Sequence, residues 1–189
     1  MKRITLLLLV FWMAGCNASV PKEYEIYPVP QTQQLTEGRA RMTASVNIVV
    51  GTGVDEATVA RARQVLADKG IQSVVSQQAD DRQTNLLLGI NGSGDIADSE
   101  ADRQQLDRTI FGKEKYDRHI VSLTADRRGR AQLLVLGEHT DAVFCGLATV
   151  EQMLDCGTEA LPCVRFYDYA DLRSRGVIEG YYGVPYNAE

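Results

Sequence analysis

Tyr181 and Tyr182 stand between Gly180 and Gly183, a stretch separated by one residue from the apolar pair Val177-Ile178, and Pro185 follows. Glycines allow backbone to approach a ligand closely, and phenol rings offer stacking faces with hydroxyls at their tips. That combination suits a sugar ring. Other candidate groups read more plainly as structure. Val49-Val50-Gly51-Thr52-Gly53 opens like a dinucleotide-binding turn, but the third glycine of that fingerprint falls on Glu56. A carboxylate there would face a pyrophosphate, so a strand–turn–helix connection is the better account of the glycines. Asn91-Gly92-Ser93-Gly94-Asp95-Ile96-Ala97-Asp98 offers oxygen ligands for a hard cation, yet its spacing does not match the EF-hand loop and it reads as a solvated loop. Asp80-Asp81, the one adjacent Asp pair, lies between two predicted strands and reads as a solvated turn. His119 and His139 are the only histidines, fall on different elements and suit structural roles; no Ser-His-Asp arrangement is supported.

The N-terminus is laid out for export. Lys2 and Arg3 precede the apolar run Ile4–Met13, which is too short to span a bilayer and ends in Ala14-Gly15. Residues 1–15 therefore read as a signal peptide. Met13-Ala14-Gly15-Cys16 resembles the bacterial lipobox, with Met in place of the usual Leu. The resemblance implies that Cys16 is lipidated, becomes the first mature residue, and ties the chain to the membrane. Ordinary secretion and an uncleaved anchor are the alternatives. The formal charge is −5, and −7 once Lys2 and Arg3 leave with the signal peptide. Such a surface disfavours nucleic acid. Cys145, Cys156 and Cys163 remain. Export would permit a Cys156–Cys163 disulfide; the alternative is three small, mostly buried thiols. No cofactor or metal site is expected.

These candidates need elements to hold them. Residues 16–23 read as a tether. Tyr24–Pro30 alternates apolar residues with prolines and predicts an edge strand. Val46–Val50, Ile71–Val75 and Asn85–Ile90 predict strands. A helix capped by Asp55 runs to Lys69-Gly70, with Val59, Ala62, Val65 and Leu66 at helical spacing. Residues 91–117 are polar, with some helix around Glu100–Arg108. Arg118–Ala125 and Ala131–Leu136 predict a hairpin about Gly129. Thr140 or Asp141 caps a helix running to about Asp155, and Cys163–Tyr167 is a last strand. The class is an α/β (α+β) sandwich: a mixed sheet with two main helices on a face.

The tail sharpens the functional expectation. Arg175-Gly176-Val177-Ile178-Glu179-Gly180-Tyr181-Tyr182-Gly183-Val184-Pro185-Tyr186 resembles the first barrel strand of glycoside hydrolase family 84, with Tyr181 for Phe and Tyr186 for Trp. Tyr24–Gln31, Asp141–Leu154 and Tyr167–Asp171 resemble the bacterial hexosaminidase N-terminal domain, with Ala170 where Pro is usual. The resemblance implies a hexosaminidase-like domain over 24–172, and the start of a (β/α)8 catalytic barrel over 173–189. It implies an exported β-N-acetylglucosaminidase (the O-GlcNAcase and hyaluronidase type) that is retaining and substrate-assisted through an oxazoline. By position, Gly180 and Tyr182 would bind the sugar, while Glu179 supports the strand end. An adjacent Asp pair would do the chemistry from beyond residue 189. Asp80-Asp81 precedes the barrel and cannot replace it. The 189-residue chain alone is then expected to be inactive. Its partners would be an N-acetylglucosamine-containing glycan and its own barrel. The alternative is a non-catalytic surface lipoprotein module that binds a glycan or protein.

Overall fold

The computed structural model describes residues 23–174 and Gly176. Seven strands form one sheet: β1 (Thr32–Ala40), β2 (Ser45–Val50), β3 (Gln72–Ser76), β4 (Thr84–Ile90), β5 (Tyr116–Ala125), β6 (Ala131–Gly137) and β7 (Leu161–Ala170). Their spatial order is β1-β7-β5-β6-β4-β2-β3. One half is parallel (β3, β2, β4, β6), and the other is antiparallel (β6, β5, β7, β1). The helices are α1 (Glu56–Asp68), α2 (Ile96–Arg103) and α3 (Thr140–Asp155), with a 3-10 turn at Arg108–Gly112.

The period-2 strands sort their side chains between two cores. Val46, Ile48, Leu86, Leu88, Leu133 and Val135 face α1 and α3, whose Ala62, Val65, Leu66, Val143, Leu147 and Val150 complete that layer. Val49, Leu87, Leu134 and Leu136 face the other way and meet Ala97 and Ala101 of α2, with Ile110 of the 3-10 turn. The two main helices, α1 and α3, share one face as expected, and the short α2 with the 3-10 turn covers the other. The reason is legible in β4: Leu86, Leu87 and Leu88 are all buried, so both faces need cover. Two glycines set the layer spacing. A Cβ on Gly89 would lie 2.3 Å from the Ala97 Cβ, and one on Gly146 would lie 2.6 Å from Val135 Cγ1.

Two expectations need correction. Tyr24–Pro30 is not a strand: Gln152 of α3 accepts the Tyr27 N–H at 2.7 Å and donates to the Tyr27 carbonyl at 2.9 Å. A side-chain amide thus takes the place of a ladder partner. The strand at that edge is β1, whose polar TQQLTEGRA sequence hides it. Finally, α3 is capped by neither Thr140 nor Asp141. His139 Nδ1 accepts the Ala142 N–H at 3.2 Å, while Thr140 Oγ1 reaches α1, accepting the Asp55 N–H at 3.1 Å.

Candidate functional site at the exit face

Open α/β sheets hold ligands beyond the carboxyl ends of parallel strands, where the strand order reverses. Here β2 and β4 make that point, since β2 leads to α1 on one face and β4 to α2 on the other. The crevice is filled from within. Asp95 Oδ2 accepts the Thr52 N–H at 2.9 Å, and its Oδ1 accepts the Ala97 and Asp98 N–H groups. A Cβ on Gly51 would fall 2.2 Å from Asp95 Oδ2. The chain's own carboxylate sits against the Gly51-Thr52-Gly53 turn where a phosphate would need room. Position 56 lies one step into α1, so the strand–turn–helix reading of the glycines stands.

The acidic loop that follows is also internally satisfied. Asp98 is buried; it accepts the Gly92 and Gly94 N–H groups, each at 3.0 Å, and pairs with Arg108 at 2.5 Å. Burial pushes its carboxyl pKa up, but the two amides and the Arg108 guanidinium outweigh that and hold it below the ordinary value. Arg108 also donates to Asn91 and to the Asp98 carbonyl. Asp95 and Asp98 are therefore the rivets of this loop, not solvated groups awaiting a cation.

The open surface lies at the other edge, where β7 ends. A groove of about 530 Å³ runs between residues 26–31, α3 and the β7 terminus. Tyr27, Val29, Ala148, Tyr169 and Leu172 give it apolar walls, with Asp117, His119 and Asp168 among its polar members. Tyr27, Val29 and Leu172 are 69%, 73% and 68% exposed, an apolar patch of the kind that marks an interaction surface. Phe144, one turn before Ala148 on α3, and Tyr116, paired with Ala170, extend the patch. Lys113 and Lys115 lie 4.9 and 5.6 Å from the Tyr169 ring centre, and Lys115 also pairs with Asp171 at 2.6 Å.

A bulge in β5 shapes the floor. The register shifts between Tyr116 and His119, and Asp117 takes φ +51°, a left-handed conformation that Asp tolerates better than most residues. Its carbonyl lies 2.8 Å from His119 Nδ1. A carbonyl only accepts, so Nδ1 carries the proton. His119 is buried against α3, with its Cδ2 3.2 Å from the position of a Cβ on Gly146. The histidines take the structural positions expected of them: one packs under α3 and the other caps it. Asp80 holds a surface turn, accepting the Arg82 N–H and the Gln83 amide. Cys156 and Cys163 are not bonded to each other in the described residues. Burial pushes the Cys163 thiol pKa up. Cys156 is exposed, unlike the buried thiols expected.

Gly180, Tyr182 and Cys16 lie outside the described residues. The sequence reading missed Tyr27, Phe144 and Leu172 as surface residues. Only Tyr27, an aromatic residue directly before a proline, carried a local signal. The family described as "Glycosyl hydrolase family 20, domain 2" matches residues 23–169. The solved structure of CpGH84D is similar, with 34% sequence identity and a TM-score of 0.74 over 87% of this chain. The match covers 27% of the CpGH84D chain, so this chain spans about a quarter of that length. A seven-stranded mixed sheet, helices on both faces and a match over most of the length lead to one statement: the chain belongs to the family of glycosyl hydrolase family 20, domain 2.

Proposed function

We propose that residues 24–172 are the accessory domain of an exported β-N-acetylglucosaminidase of glycoside hydrolase family 84, and that the exit face seats its catalytic barrel. The observation that carries this reading is the 34% identity to CpGH84D over 87% of the chain, joined to the family-84-like stretch at 175–186. The exposed Tyr27, Val29 and Leu172 support the seating, because they surround the point where the chain leaves β7. Gly180 and Tyr182 then bind the N-acetylglucosamine, and an Asp pair beyond residue 189 supplies the chemistry. That chemistry is retaining: the sugar's acetamido oxygen attacks the anomeric carbon, with one Asp orienting it and its neighbour acting as acid, then base. Lipid on Cys16 holds the protein to the bacterial cell envelope.

The test is turnover of an aryl β-N-acetylglucosaminide. The 189-residue chain should release no aryl alcohol, and a chain extended by its downstream coding sequence should release it with retention at the anomeric carbon. Hydrolysis by the 189-residue chain, or an extended chain without turnover, would overturn the reading. The second outcome would favour a non-catalytic surface lipoprotein module.

A further inference from the structure

The two edges of the sheet are built differently. β1 is guarded: Glu37 and Arg39 put charge on it, Gly38 takes φ +100°, and the register breaks between Leu35 and Arg39. Those are the devices that keep an edge strand from pairing with another chain. β3 has none of them. Its five residues, Gln72-Ser73-Val74-Val75-Ser76, contain no charge, no proline and no bulge, and run in unbroken parallel register with β2. Val74 and Val75 are 49% and 39% exposed. Among the described residues they are the large exposed apolar side chains remote from the exit patch. Five strand steps separate β3 from β7, about 24 Å at the usual spacing, so this edge is independent of what covers the exit face.

We infer that β3 pairs antiparallel with β3 of a second copy of this chain across a two-fold axis. Two observations select a second copy over an arbitrary extended peptide. The first is the strand sequence. Antiparallel pairing centred on Val74 sets Val74 against its own copy, Ser73 against Val75 and Gln72 against Ser76, leaving no charge opposite a like charge.

The second is α1, which flanks β3 across a groove of about 730 Å³ lined by Val54, Val59, Ala60 and Val75. Glu56 and Arg63 also line this groove and carry opposite charges. Among the described residues neither has an ion-pair partner. A two-fold beside the sheet lays the two α1 helices antiparallel and sets Glu56 of each against Arg63 of the other. The midpoint of that pair lies at Ala60, about 6 Å along the helix from Glu56. On β3, Val74 lies about 7 Å from Ser76, the end nearer Glu56. One axis therefore serves both pairings. Isologous interfaces require this self-complementarity.

The test is sedimentation of the full chain in mild detergent, with oxidative cross-linking. Wild type should sediment at twice the chain mass at high concentration, and Val74→Cys should form an intermolecular disulfide. Val74→Lys should weaken association at least about tenfold while leaving far-UV circular dichroism and melting unchanged. Glu56→Arg and Arg63→Glu alone should each weaken it about tenfold, and the double swap should restore it. A chain that stays monomeric at about 0.5 mM, a dimer indifferent to Val74→Lys, or a double swap no better than the singles would overturn the inference. Loss of glycosidase activity bears on none of these readouts.

Discussion

Replacing Asp98 by Asn separates the charge of this carboxylate from its shape. Asn keeps one oxygen for the Gly92 N–H and Arg108, and presents an NH2 to the Gly94 N–H. Two bonds to a charged acceptor, worth about 1.5–3 kcal/mol each, become one neutral bond and one unpaired donor. Arg108 retains Asp102, at 2.9 Å, which softens the loss. The expected cost is about 3 kcal/mol at pH 7, a fall in melting temperature of roughly 6–12 °C for a domain of this size. The pH dependence supplies the second readout. The folded carboxyl pKa is held below its ordinary value, so its contribution is complete above the unfolded pKa and is lost as pH falls through the folded one. The gap between wild type and Asp98→Asn should therefore be full at pH 7 and shrink below about pH 4. Asp55, Asp107, Asp126 and Glu138 are also held low, but they are common to both proteins and cancel in the difference. Urea unfolding followed by circular dichroism from pH 7 to pH 3 measures the gap. A cost under about 0.5 kcal/mol, or a gap that does not change with pH, would refute the view that this loop is closed by a buried charge.

Two further substitutions probe the packing and the exit face. Gly146→Ala gains up to about 1 kcal/mol of helix propensity, but its Cβ would meet Val135 Cγ1 at 2.6 Å in a buried, stiff β-branched side chain. A net loss of about 1–2 kcal/mol is expected by thermal unfolding, and an equally stable variant would contradict the close seating of α3 on the sheet. Leu172→Asp combined with Tyr27→Ser should leave the 189-residue chain within about 0.5 kcal/mol of wild type, because both side chains are largely exposed. In a chain extended through the barrel the same pair should lower the unfolding temperature. Equal behaviour in both lengths would remove the docking role of this face.

Sequence periodicity exposed the elements that bury themselves symmetrically. Val46–Val50 and Asn85–Ile90 read as strands because their apolar runs are covered on both faces. Both main helices announced their buried stripes. What stayed hidden has physical causes. β1 has Leu35 as its one large apolar residue, because an edge strand with solvent nearby can be polar. Tyr24–Pro30 has strand-like composition, but its backbone pairs with the Gln152 side chain, a partner more than a hundred residues away. His139 was overlooked as a cap because imidazole is an uncommon one; only its Nδ1 geometry reveals the role. The exit face draws on residues 26–31, 117–119, 145–152 and 168–172, so no local window contains it.

The closed crevice bears on why the exposed apolar surface lies at the other edge. An α/β sheet offers a ligand site where β2 and β4 part, and the turn chemistry here is nearly that of a phosphate cradle. The Asp95 side chain occupies the place an anion would take, and Gly51 and Gly89 let it and α2 approach the sheet closely. A domain that fills this crevice with its own side chain keeps its outward binding capacity elsewhere. Among the described residues, exposed Tyr27, Val29, Tyr116, Phe144 and Leu172 gather at the antiparallel end, on the strand and segment beside the chain exit. On the proposed reading, a barrel tethered a few residues away would cover that end at little cost in translational entropy, since the tether would hold the partner at high effective concentration. A modest patch would then be enough to seat the proposed catalytic domain.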